Sequence, residues 1–326
     1  MKKLLLLMFL LSALPAFAAS KKPDITPEYS ASKYLTATGI GQSEQEARRQ
    51  AKAEMSSIFE STVMSSVLSI VRSATSESGE ETVTRDAEQK IGVLSAVELK
   101  GVTIGKTWYD EKQNVYYALA VLNRQKARRE WQEKIDSMDD KIEITLNSLE
   151  SMPSPFSKLR SLLHINKLWL ERQVIASRLR VLGFEDASIT DYEIRDIYKK
   201  IHSIKASMRI YLDFAEDNYT KTVASLISEQ LGQEGYIITT ERDNSNITLK
   251  GSVTLEQVDI KNPDWKYARA TVSVAIMDTH TNEIVGKIEE NKRGSHLTYS
   301  EAAHNAIKKV SKVLTVRILD YFKDPE

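Results

Sequence analysis

Residues 33–71, KYLTATGIGQSEQEARRQAKAEMSSIFESTVMSSVLSIV, decide the class of the fold. The stretch begins as a strand, Lys33 to Ile40, and leaves it through Gly39-Ile40-Gly41. Ser43 followed three residues later by Glu46 is an S-x-x-E capping box, whose two side chains satisfy backbone N–H groups at a helix start. Ala47, Ala51, Met55, Ile58, Phe59, Thr62, Val63, Val67, Ile70 and Val71 then recur at steps of three and four. An apolar face sustained over about seven turns is a long amphipathic helix. A strand feeding directly into such a helix predicts an α+β architecture, and the polar tract Ser73–Glu81 ends the helix.

Downstream, residues 82–90 read as the start of a strand. Val97–Tyr109 and Val115–Leu122 read as a hairpin around the turn Asp110–Asn114. Residues 31–123 are thus expected to form an N-terminal α+β domain. From Arg124 the period is helical: Ala127, Trp131, Ile135, Met138, Ile142 and Leu149 mark a helix to about Ser151. Met152-Pro153-Ser154-Pro155 stops it. A second helix, Phe156–Leu182, carries Leu159, Leu163, Leu170 and Val174 on one side and ends at Gly183. With a shorter helix over Asp191–Ser203, residues 124–204 read as a helical hairpin and connector. Residues 205–326 read as a C-terminal α+β domain. Its strands lie over 208–214, 236–241, 247–258, 268–278 and 283–290, in a sheet of three or four strands, and its helices over 219–233 and 300–322. The fold class is therefore α+β, two small strand–helix–strand domains joined by a helical hairpin.

The N-terminus assigns a compartment. Lys2 and Lys3 precede the apolar run Leu4–Leu14, Pro15 breaks it, and Ala16-Phe17-Ala18 is an A-x-A cleavage site. Residues 1–19 are expected to be a signal peptide, and 20–30 a flexible, proline-containing leader, which places the mature chain in the periplasm or beyond. The chain holds no cysteine, which excludes disulfides, thiol catalysis, Cys-type zinc sites, iron–sulfur clusters and a lipid-bearing cysteine. Lys+Arg and Asp+Glu are both 45, so no basic excess points to nucleic acid. No segment after the signal is apolar for long enough to span a bilayer.

Two segments of the N-terminal domain, Thr36-Ala37-Thr38-Gly39-Ile40-Gly41-Gln42-Ser43 running into Glu46-Ala47-Arg48, and Tyr116-Tyr117-Ala118-Leu119-Ala120-Val121-Leu122-Asn123-Arg124, flank the long helix. Together, over about residues 30–126, they resemble the Lpp-twenty type envelope lipoproteins of bacteria, and more distantly the N-terminal domain of flagellar assembly protein T. In the C-terminal domain, Glu234-Gly235-Tyr236, Leu249-Lys250-Gly251-Ser252-Val253 and Val274-Ala275-Ile276-Met277-Asp278 are similar to the small α+β domains of curli-secretion and peptidoglycan-synthase-activator lipoproteins. The resemblance implies action by protein–protein contact in envelope assembly, without catalysis. The missing cysteine departs from the family and removes its membrane anchor.

The motifs that could carry chemistry reduce to plain structural roles. Gly39-x-Gly41 lacks the third glycine of a dinucleotide loop, since position 44 is Glu, and the capping box accounts for the same residues. His164, His202, His280, His296 and His304 form no ligand motif. No G-x-S-x-G elbow occurs, and the pairs Asp139-Asp140 and Glu289-Glu290 read as solvated surface. No catalytic residue, metal ligand or cofactor is expected. One stripe, Trp131, Ile135, Met138 and Ile142, is the candidate partner-binding surface, although internal packing against the Leu159–Val174 helix is the favoured reading of it. The expected function is a non-enzymatic exported accessory or assembly factor that contacts envelope proteins, with a homo-oligomer compatible. The alternatives are an envelope hydrolase and a small-ligand carrier.

Overall fold

The computed structural model describes residues 28–75, 81–95, 99–188, 190, 192–259 and 264–323, with the backbone alone over 81–86. The expected signal peptide and leader residues 20–27 lie outside the described residues. The chain is α+β and divides into two compact units, Met1–Ile58 with Glu98–Ala127, and Phe59–Val97 with Arg128–Glu326.

In the first unit, β1 (Tyr34–Gly41), β2 (Thr103–Asp110) and β3 (Val115–Asn123) form an antiparallel sheet in the order β1-β3-β2. The first half of α1 (Glu44–Thr75) lies on one face of it. Contact there is close enough to require glycine. A Cβ at Gly39 would sit 2.0 Å from the Ala51 nitrogen and 2.3 Å from the Ala47 oxygen. One at Gly41 would sit 2.6 Å from the Ala47 nitrogen. The Gly-x-Gly pair therefore lets a helix approach a strand. The capping box forms in a shifted version: Ser43 Oγ accepts from the Glu46 N–H at 3.2 Å, while the Glu46 carboxylate accepts from the Gln42 N–H at 2.8 Å. The β2–β3 turn is an Asx turn, with Asp110 accepting from the N–H groups of Lys112 and Gln113, and Asn114 taking a left-handed φ of 54°.

Seven buried residues of α1, Ala47, Ala51, Met55, Phe59, Val63, Val67 and Val71, recur every fourth position, with Leu68 and Ala74 buried beside them. A helix has about 3.6 residues per turn, so a four-residue repeat advances about 40° at each step. Over its whole length the stripe winds through most of a turn. Ala47, Ala51 and Met55 belong to the first unit and Phe59, Val63, Val67 and Val71 to the second, the chain passing between units at Ile58 and Phe59.

The second unit holds α2 (Glu81–Ser95), α3 (Arg124–Ser148), α4 (Pro155–Val181), α5 (Ile194–Ser207), α6 (Asn218–Gln233) and α7 (Tyr299–Lys323). Its strands are β4 (Arg209–Asp213), β5 (Ile237–Thr239), β6 (Ile247–Val258), β7 (Lys266–Asp278) and β8 (Glu283–His296). α2 corrects the strand expected at 82–90. Ala87, Ile91 and Ser95 are buried at helical spacing, and that stripe outweighs the short alternation near Val83. The sheet has five strands, where three or four were expected, in the order β5-β4-β6-β7-β8. β4 pairs in parallel on both sides, with β5 and β6.

One large core cluster runs through this unit, from Ile142 and Leu149 of the helical middle, through Leu159 and Trp169, to Ile276 of the sheet and Phe322 of α7. The helical middle and the C-terminal sheet therefore share one interior. The turn between α3 and α4 is held by Ser154, which caps α4 ahead of Pro155 and donates from its hydroxyl to the buried Asp278 carboxylate. Gly183, at φ 86°, closes α4.

The free edge of β8 is covered by α7. Asn305 donates to the Ser295 carbonyl at 3.2 Å, Lys309 to Arg293 at 3.4 Å, Arg317 to Glu289 at 3.2 Å, and the Tyr321 hydroxyl to Val285. These side chains lie at multiples of four along one helix, so α7 presents a ladder of donors to the edge carbonyls of a 14-residue strand. That coverage blocks the pairing with other strands that an open edge invites.

Candidate functional site

One concavity of the second unit is a cleft of about 900 Å³. α4 supplies one wall through Arg160, Leu163, Lys167 and Leu170, spaced at three and four so that all lie on one face. α5 adds Tyr198, Ile201 and Lys205 at the same kind of spacing, and α2 adds Lys90, Val93 and Leu94. The remaining sides come from the end of α7 (Arg317, Asp320, Tyr321), from Glu234 and Tyr236 after α6, and from Val285 and Lys287 at the β8 edge.

Aromatic contacts set its floor. Phe322 packs between Phe156 at 5.5 Å and Tyr236 at 5.3 Å, and Trp169 meets Tyr198 edge-on at 6.4 Å. The charges are placed around this floor. Arg160 donates to the Tyr321 hydroxyl at 2.8 Å while its guanidinium lies 4.8 Å from the centre of the same ring. Burial raises the Tyr321 phenol above its usual pKa, and the neighbouring Arg160 charge opposes the rise. Lys323 holds Glu234 at 2.9 Å, and Lys205 lies 5.5 Å over the Tyr236 ring. The Asn166 side-chain oxygen is buried at the wall and accepts no hydrogen bond. Among the described lining residues are seven cations and three carboxylates, and no serine, threonine or histidine. Such a surface suits recognition of apolar groups that carry negative charge.

The stripe expected to bind a partner lies elsewhere. Trp131 is 4% exposed, Ile135 and Ile142 are fully buried, and Met138 is half-buried against the core. Trp131 meets Phe59 edge-on at 5.8 Å. Trp131, Ile135 and Ile142 are core, and Met138 packs against it. Asp139, expected on the solvated surface, is likewise drawn into the structure. Arg172, 2% exposed, donates to it at 2.6 Å and to the Ala187 carbonyl at 3.0 Å, and Tyr192 donates to it at 3.2 Å. Burial and the Asp139 charge push the Tyr192 phenol far above its ordinary pKa. Glu290 is no free surface group either, since Arg317 pairs with it. Among the described residues no three His, Asp or Glu side chains converge on a metal position, and no helix is long and apolar enough to cross a membrane.

No protein-family model and no curated protein matches this chain. Solved structures do. A secreted protein of Helicobacter pylori aligns over 88% of this chain and 98% of its own, with 13% identity and a TM-score of 0.42. A minor lipoprotein of Acinetobacter baumannii covers 34% of this chain and 92% of its own, at 15% identity and a TM-score of 0.27. A PelC dodecamer from Paraburkholderia phytofirmans covers 35% and 86%, at 15% identity and a TM-score of 0.26. These neighbours are bacterial proteins at low identity, and at such scores they assign this chain neither a family nor a role.

Proposed function

We propose that this chain is an exported accessory factor of the bacterial envelope, that it works by protein–protein contact and not by catalysis, and that the cleft of the second unit is its contact site. The observation that supports this reading is the lining: aromatic and aliphatic walls with a cationic surround, and no serine, threonine or histidine among the described lining residues. Export is supported by the Lys2-Lys3, Leu4–Leu14, Ala16-Phe17-Ala18 order at the N-terminus.

The test has two arms on the mature protein. Placing a photo-crosslinker in the cleft, as Val93→p-benzoylphenylalanine, should join the chain to a discrete envelope protein, and the same group at the exposed Ile144 should not. A hydrolase screen should return no turnover. Turnover abolished by Glu171→Gln or Asp320→Asn would replace this reading with an enzyme.

A further inference from the structure

We infer that the bare edge of β6, residues 251–258, is a second contact surface, and that its occupant is an extended segment of another protein, which joins the sheet as an added strand.

β6 is 12 residues long, and β7 pairs with it from end to end. On its other side β4 pairs only with Ile247–Lys250 and stops at Asp213. The chain then turns off through Phe214, whose ring lies 2.0 Å from where a Cβ on Gly251 would sit. From Gly251 to Val258 that side of β6 meets no other described strand. At about 3.3 Å per residue the bare edge is about 26 Å long. Alternate residues along it aim both N–H and C=O away from β7, as an antiparallel ladder requires. Sheet edges are ordinarily guarded by proline, a bulge or a charge turned toward the edge. Residues 251–258 hold no proline, and their register with β7 runs without a shift. Their one charged side chain, Glu256, reaches toward Arg269 of β7 at 4.0 Å. The edge of β8 is covered by α7, whereas this one is left open.

The side chains define the occupant. Val253 and Leu255 are half-buried on the core side of the sheet, as is Phe214 at the start of the bare stretch. Ser252, Thr254 and Glu256 are exposed on the opposite side. A strand with apolar residues at alternate positions would lay them beside Phe214, Val253 and Leu255, and so bury apolar surface while its main chain pairs with β6. A helix satisfies none of the edge groups, because its own backbone is already bonded. A second copy of this edge fits poorly. Two copies related by a two-fold axis would pair in antiparallel register. Centred on Thr254, that register sets Val258 of one copy opposite Lys250 of the other, where Asp213 already pairs. Centred on Leu255 or Glu256, it brings the two Glu256 carboxylates diagonal to or opposite each other, and like charges there repel. A segment of different sequence meets neither obstacle. None of these residues lines the cleft, so the two contact surfaces are independent of one another.

Fluorescence anisotropy on the mature protein tests this with a labelled peptide of about nine residues that alternates Val with Thr and ends in Lys. Two further versions carry backbone N-methyl groups, one at every Val and the other at every Thr. The parent peptide should bind. One methylated version should bind about tenfold more weakly and the other should match the parent, since only one edge of an added strand faces β6. On the protein, Val253→Pro and Thr254→Pro alter neighbouring residues whose N–H groups point to opposite sides. One should lower the melting temperature by breaking the β7 ladder, and the other should keep it and lose the peptide. Failure of the parent peptide to bind overturns the inference, as does equal binding of the two methylated versions. An equal fall in melting temperature in both proline variants also overturns it, because the edge would then be paired already. A concentration-dependent dimer that disappears in the normally melting proline variant would assign the edge to a second copy instead. If the peptide results hold while the crosslinker at position 93 captures nothing, the β6 edge stands and the cleft falls as a contact site.

Discussion

Replacing Asp139 with Asn should cost the second unit far more than replacing its partner, Arg172, with Met. Arg172 is 2% exposed, and the Asp139 side chain is about one-third exposed. In Asp139→Asn the guanidinium keeps the Ala187 carbonyl at 3.0 Å but loses the carboxylate at 2.6 Å. Removing the counter-charge of a buried guanidinium is destabilising by about 3 kcal/mol. In Arg172→Met the charge leaves with the side chain, a thioether of similar length fills the space, and Asp139 turns to water. That change should cost about 1 kcal/mol. The double variant should resemble Arg172→Met, giving a coupling energy of about 3 kcal/mol in a double-mutant cycle. Urea unfolding of the mature protein measures all four members, and the signal of Trp169, buried on the same helix as Arg172, reports this unit. Equal losses for the two single variants, or additive losses in the double, would refute the reasoning. Either result would mean that water reaches the guanidinium and that the pair behaves as a surface bridge.

Other consequences are open to similar measurements. Gly39→Ala puts a methyl group 2.0 Å from the Ala51 backbone nitrogen and should lower stability by about 3 kcal/mol, against about 1 kcal/mol for Gly183→Ala, where only the left-handed φ is at stake; thermal melting separates them. Trp131→Ala should cost about 4 kcal/mol as a core cavity, in line with its burial. Arg317→Ala combined with Tyr321→Phe uncovers two edge carbonyls of β8 and should turn a concentration-independent sedimentation profile into one that shifts to larger species. Asp217 caps α6 by accepting from the N–H groups of Tyr219 and Thr220, which holds its carboxyl below the ordinary value of 3.8. A depressed folded value adds stability above the unfolded value, and that stability is lost as pH falls through the folded one. Asp217→Ala should therefore lower the melting temperature at neutral pH, and the difference should close below about pH 4.

Much of the fold is legible in the sequence because local rules and tertiary packing agree. The strand–capping box–helix order at 33–71, the Pro153–Pro155 stop and the caps at Gly183 and Gly235 each have a local physical cause, and each element appears where that cause lies. α2 escapes such reading because alternation over a few residues near Val83 imitates a strand, while the stripe that decides the matter, Ala87, Ile91 and Ser95, sits later in the segment. The ionic strut of Arg172 and Asp139 is invisible for a different reason. Its members are 33 positions apart, and an Asp-Asp pair on a polar helix face looks the same whether or not a buried arginine reaches it.

The cleft is hidden for a deeper reason, and the leucines of α4 show it. In sequence Leu163 and Leu170 belong to the apolar side of that helix, together with Leu159 and Val174, and the simplest account buries all four alike. In the structure Leu159 and Val174 end in the core, and Leu170 is buried yet borders the cleft. Leu163 stays half-buried on the cleft wall, with Arg160 and Lys167 on the same face. Nothing in a 3.6-residue period separates a leucine that ends in the core from one that ends on a wall, since both satisfy the pattern. What separates them is the neighbour across the gap. Here that neighbour comes from α2, α5, α7 and the β8 edge, and it can be as remote as Tyr321 is from Arg160, 161 positions along the chain. The winding stripe of α1 behaves likewise: its four-residue step can be read from the sequence, but the division of its two ends between two units emerges only when the partners are in place. Patterns within an element report which face is apolar. Whether that face becomes core or contact surface is decided by distant elements, which is why Trp131 could be singled out as a binding residue and prove to be interior, while Val93, on an unremarked helix, stands exposed on the wall of the cleft.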